Sequence, residues 1–255
     1  MKITDAKSLP NIKSQQGFTL VELMVGGLLG LLLIAAAATV YLSSTQTNRT
    51  SQGLLNAKSD VQLALGLLKD DIAKAGWANN NSSAYTLSSP FPATITTLDG
   101  GAGSDSISLQ YESCDNSDLD NGCSTTGVDS ADCNGTAVAG GSIITNTYSV
   151  NGSKELVCNN QPIISNVENF QVLYGQVTSS GIEYVTASNI TDRSRVHSVR
   201  FGMIVSSDIN TSSNDTSRTI ELLDKTVTSN DKRVRLKYES TVVVLNKPFT
   251  SNFGI

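Results

Sequence analysis

Three sets of residues in this chain have types and spacings suited to chemistry. Glu22 puts a carboxylate at the lip of an uncharged apolar run from Leu23 to Leu42. A charge at the centre of a bilayer helix costs on the order of 2.5–3.5 kcal/mol, less near the interface, and such residues usually take a partner. Cys114, Cys123, Cys133 and Cys158 form an even set at spacings of 9, 10 and 25 residues. In an oxidising compartment they make two disulfides in one of three connectivities, and joining sequence neighbours gives Cys114–Cys123 and Cys133–Cys158. The spacings lack the close CxxC pairs of a structural zinc site. Between the first two cysteines, Asn116, Asp118 and Asp120 match the first three ligand positions of an EF-hand loop. The glycine, Gly122, comes one residue late and no glutamate stands at the twelfth position, so the expected reading is a solvated acidic loop without a metal.

Catalysis finds no constellation. His197 is the one histidine, inside an apparent strand over residues 195–200, and no G-x-S-x-G elbow, HExxH helix or phosphate-binding glycine loop occurs. We expect no enzymatic role and no cofactor. The net charge of −5 and the absence of a long basic run remove any general attraction to nucleic acid.

The elements that must position these groups begin with the apolar run. Its twenty residues rise about 1.5 Å each and so span roughly the 30 Å core of a membrane. Lys2, Lys7 and Lys13 precede it against a single acid, Asp5, which predicts a cytoplasmic N-terminus and an exported C-terminal bulk. A secretory signal is cut after its apolar region at a small-x-small site. Residues 41–46 lack one, and the alanines at 35–38 supply a poor one; the better cut lies between Gly17 and Phe18. Gly26 and Gly30 form a small-xxx-small pair on the span.

Beyond the span, Leu54, Val61, Leu65, Leu68, Ile72 and Ala75 follow one face of a helix, and Gly76 is a plausible stop. A helix over residues 18–75 would run roughly 87 Å. Period-two alternation predicts strands at 106–111 and 170–174, with further strands at 143–150, 156–158, 182–186, 196–206 and 234–245. Segments 77–104, 112–141 and 207–232 are rich in Ser, Thr, Asn, Asp and Gly, and are expected to be solvated loops for most of their length. The expected fold is α+β: a long N-terminal helix, transmembrane over 18–42 and amphipathic over 43–76, packed on an antiparallel β-sheet head over 77–255.

The stretch Gly17-Phe18-Thr19-Leu20-Val21-Glu22 ahead of the apolar helix resembles the class III leader of type IV pilins and type II secretion pseudopilins. That resemblance implies removal of residues 1–17 by prepilin peptidase, N-methylation at Phe18, and pairing of Glu22 with a freed Phe18 amine as subunits dock. Many major pilins carry a proline farther along this helix; here none occurs between Pro10 and Pro90. In the head, residues 72–77, 151–158, 162–175, 196–200 and 240–246 resemble the PilW family of type IV pilus minor pilins. A subunit of that family is expected to enter the inner membrane, join other minor pilins and the major pilin, prime the pilus, and sit near its tip beneath a PilY-type adhesin. The alternatives are a minor pseudopilin of a type II secretion system and a periplasmic binding or catalytic domain on an uncleaved anchor.

Overall fold

The structure, a computed structural model, describes residues 17–78, 89–101, 103–114, 131–212 and 214–246. The leader residues Lys2, Asp5, Lys7 and Lys13, the acidic-loop residues Asn116, Asp118 and Asp120, and Cys123 lie outside the described residues. Two compact units divide the chain, Met1–Thr47 and Asn48–Ile255, and one helix, α1 (Leu20–Lys74), contributes to both.

In the first unit the helix is apolar all round and buries no side chain of its membrane-length stretch. Leu23, Met24, Leu28, Leu31 and Ile34 are all exposed. Such a helix has no face for a soluble core, so its surface belongs to lipid or to other helices. Its threonine hydroxyls bond back to the helix: Thr39 Oγ1 donates to the Ala36 carbonyl at 2.7 Å and Thr45 Oγ1 to the Leu42 carbonyl at 2.8 Å.

In the second unit the same helix turns amphipathic. Val61, Leu68, Ile72 and Ala75 are fully buried, Leu54 and Leu65 partly so. Gly53, Ala57 and Ala64 share that face, and a Cβ on Gly53 would sit 3.1 Å from the Ser207 Cβ. Small residues therefore let the helix lie close to the strands. It stops where expected: Gly76 has φ +82°, the left-handed conformation that favours glycine.

Ten antiparallel strands follow among the described residues. One sheet has the order β1-β2-β3-β4, from β1 (Ile107–Glu112), β2 (Ile143–Val150), β3 (Leu156–Cys158) and β4 (Gln161–Ile164). The second has the order β10-β7-β5-β6, from β5 (Val167–Thr178), β6 (Gly181–Val185), β7 (Val196–Ser206) and β10 (Arg235–Val243). Strands β8 (Thr216–Leu222) and β9 (Lys225–Asp231) form a separate hairpin. Phe170, Val172 and Tyr174 of β5 and Val199, Phe201 and Met203 of β7 share one core with Val61, Leu68 and Ile72 of the helix. Each large side chain buried there contributes about 1.5–3 kcal/mol. The outer edge of β1 is covered by the chain that follows the helix: Gly76 N–H donates to the Gln110 carbonyl, and the Gln110 and Glu112 N–H groups donate to the Pro90 and Trp77 carbonyls.

The segment 207–232 corrects the expectation of a loop, because it holds the β8–β9 hairpin. Its strands mix Thr, Ser, Asn and charge on an exposed surface, so no apolar alternation marks them. Only the β-branched content, Thr219, Ile220, Thr226, Val227 and Thr228, signalled strand. Strand β4 also escaped notice, since Pro162 interrupts it, which an outer strand tolerates.

Candidate functional site

The N-terminal turn of α1 is built from the residues at the end of the Gly17–Glu22 stretch. Thr19 is the N-cap: its Oγ1 accepts the Glu22 N–H at 3.2 Å and its carbonyl accepts the Leu23 N–H at 3.2 Å. Thr19-x-x-Glu22 has the residue types of a capping box, with the glutamate three positions beyond the cap. A carboxylate in the first turn also meets the positive end of the helix dipole, which lowers the cost of keeping it at a membrane edge. Gly17 and Phe18 precede the helix in non-helical backbone, with Phe18 82% exposed. A Cβ on Gly26 or Gly30 would meet nothing within 4 Å, so the small-residue face is open.

In the head, the helix brings a carboxylate into the core. Asp71 is buried, and its Oδ2 accepts the Tyr148 hydroxyl at 2.5 Å and the Asn146 Nδ2 at 2.8 Å, both from β2. Burial pushes its pKa up, against the lowering effect of those two bonds. Tyr111 of β1 takes a second proton of the same Asn146 amide at 3.3 Å, and burial raises its phenol to about 12. This cluster seats the helix on the first sheet.

A second buried charge group holds the other sheet. Arg235 on β10, its side chain 2% exposed, grips Glu168 on β5 with Nε (2.5 Å) and Nη2 (2.9 Å). It also grips Asp231 on β9 with Nη1 (2.8 Å) and Nη2 (2.5 Å). The guanidinium's hydrogen bonds hold the Asp231 carboxyl far below its usual value. Sequence reading missed both groups. Asp71 falls on the same helix face as Leu68 and Ile72, which was its available signal; the partners lie far along the chain and carry no local mark.

Cys133 and Cys158 are joined by a disulfide. Cys114 is also disulfide-bonded, and Cys123 lies outside the described residues. His197 lies on β7, where its carbonyl accepts the Val244 N–H at 3.0 Å. Among the described residues, no three His, Cys, Asp or Glu side chains gather as a metal site.

The profile of the PilW family, described as Type IV Pilus-assembly protein W, matches residues 136–246, and that of the prokaryotic N-terminal methylation motif matches residues 12–38. Among solved structures the chain is similar to "Type IV-like pilin TTHA1219 from Thermus thermophilus", with 15% identity over 74% of this chain and 95% of that one and a TM-score of 0.49. No curated protein matches it. A methylation motif leading into an apolar helix, followed by a PilW head, defines a type IV pilin-like protein. More particularly, residues 136–246 of its head are similar to the PilW family of pilus-assembly proteins. Proteins of this class are structural components rather than enzymes, and they interact with other components of the pilus.

Proposed function

We propose that this chain helps to prime the type IV pilus and takes its place in the tip complex with other minor pilins, next to the major pilin and beneath a PilY-type adhesin. One observation carries the reading: a membrane-length helix with no buried side chain bears a single carboxylate, Glu22, on its capped first turn. While the subunit waits in the inner membrane, with its N-terminus cytoplasmic and its head periplasmic, lipid covers that helix. Prepilin peptidase cuts between Gly17 and Phe18, and the new amine of Phe18 is methylated. As the subunit leaves the bilayer, its apolar surface is buried among other helices, and Glu22 pairs with the Phe18 amine of a neighbour. In apolar surroundings an unmatched charge is costly, so the pair fixes axial register as well as offsetting the charge. The PilW match favours this reading over a secretion pseudopilin.

Intact-mass analysis of the exported protein tests the processing. A chain beginning at methylated Phe18 supports the proposal; a chain that retains Met1, or that has lost residues 18–38, overturns it. Glu22→Ala should insert into the membrane normally and be depleted from sheared pili. Wild-type levels of this variant in pili would remove the docking role.

A further inference from the structure

The disulfide and the buried helix carboxylate are connected. The Cys133 N–H donates to Asn146 Oδ1 at 3.0 Å, and Asn146 Nδ2 donates to Asp71 Oδ2 at 2.8 Å. With a carboxylate on one side and a backbone N–H on the other, only one orientation of the Asn146 amide satisfies both neighbours. Cys158, the other half-cystine, sits on β3 directly opposite Tyr148, and Tyr148 is the second donor to Asp71. The disulfide ties the segment bearing the Cys133 amide to the strand beside these donors. Apart from the Cys133 amide, Asn146 Oδ1 has Asn159 Nδ2 at 3.5 Å, the far limit of a hydrogen bond.

We propose that the Cys133–Cys158 disulfide is the outer end of a relay, Cys133 N–H to Asn146 to Asp71, that locks the helix into the head only when the head is oxidised. Oxidation removes two protons and two electrons from the two thiols. They pass to a protein or small-molecule disulfide of the cell envelope, which leaves as two thiols. Thiols stay reduced in the cytosol and are oxidised in the periplasm. Seating of the helix is therefore completed after the head has crossed the membrane. This timing rests on the periplasmic placement proposed above; the relay itself does not.

The groups facing Asp71 limit what else could control it. Lys74 and Asp70 lie on its own helix, Tyr111 comes from β1, Tyr148 and Asn146 come from β2, and Asp132, beside Cys133, acts on Tyr111. Of these, Asn146 is bonded directly to the disulfide segment through the Cys133 amide.

The test uses the full chain in detergent micelles with carbon-13-labelled aspartate, the Asp71 resonance being assigned by its loss in Asp71→Asn. In Cys133→Ser/Cys158→Ser, Asp71 should titrate at higher pH than in the wild type, because its carboxylate loses a fixed donor. Amide protection in the last turns of α1 should fall about tenfold while β5 and β7 stay protected. Adding Asn146→Ala to that variant should move the Asp71 titration no further. An unchanged Asp71 titration in a serine variant that keeps its β5 and β7 protection overturns the relay, since a plain crosslink would alter stability alone. Asn146→Ala by itself retains the disulfide and covers the case in which the serine variant fails to fold. By reciprocity, its thiol–disulfide equilibrium should shift about tenfold toward the dithiol. Equality with the wild type there also overturns the proposal.

Discussion

Asn246 stands where a side chain at residue 76 would go: a Cβ on Gly76 would run into the Asn246 carbonyl oxygen. The Asn246 side chain meanwhile caps the helix, its Nδ2 donating to the Ala73 carbonyl at 3.0 Å and the Lys74 carbonyl at 3.3 Å. The end of the last sheet strand and the end of the helix thus close on each other. Gly76→Ala should cost about 2 kcal/mol or more, combining a left-handed backbone with that clash. Asn246→Ala should cost about 1 kcal/mol. Urea unfolding followed by fluorescence of Trp77, the single tryptophan, checks both; a neutral Gly76→Ala would contradict the close approach.

The Arg235 group predicts an asymmetry. Arg235→Ala leaves Glu168, only 8% exposed, with no guanidinium, and should cost about 3–5 kcal/mol. Asp231→Ala should cost far less, because that carboxylate is 40% exposed and solvent screens the pair. Equal losses in denaturant midpoint for the two variants would overturn this asymmetry.

Acid should act on the head in two opposed ways. Burial raises the folded-state pKa of Asp71, so the folded chain binds more protons there, and stability grows as pH falls through that value toward the unfolded value near 3.8. Asp99, Asp192 and Asp231 have lowered values: the stability they contribute is present above about 3.8 and is lost as pH falls through their folded values. Burial raises Asp105 in the same direction, so Asp71→Asn should shrink the gain on mild acidification to the part Asp105 supplies and leave the loss at lower pH. Denaturant midpoints collected from pH 7 to pH 3 check this, and a variant profile parallel to the wild type would place the titration elsewhere.

The β8–β9 hairpin has Leu222 as its one fully buried side chain, lodged against β7 where a Cβ on Gly202 would come within 2.8 Å of it. A two-stranded hairpin is marginal by itself. Leu222→Ala should remove about 2–5 kcal/mol of local anchoring and raise amide exchange across residues 216–231. Exchange rising equally in β5 and β7 would mean that the hairpin is not a separable unit.

Patterns that are local and physically forced were legible without coordinates. The apolar span, the heptad-like face from Leu54 to Ala75 and the stop at Gly76 are set by periodicity and backbone freedom. Most strand positions in the central sheet could be read because Val, Ile, Phe and Tyr recur where the core requires them. The hairpin over 216–231 could not, since a solvent-exposed strand has no apolar face to reveal it and its composition is that of a loop.

By itself the sequence determined that this polypeptide carries a membrane-length apolar rod, a single charge at its entrance and a β-rich head, because each follows from neighbouring residues and the cost of desolvating charge. Only the tertiary structure decided that Asp71 would be buried beneath Tyr148 and Asn146, that Arg235 would bridge Glu168 and Asp231, and that Asn246 would cap a helix ending 172 residues earlier. Those partners meet through sheet pairing and packing, and long-range pairing leaves no periodic trace in the chain.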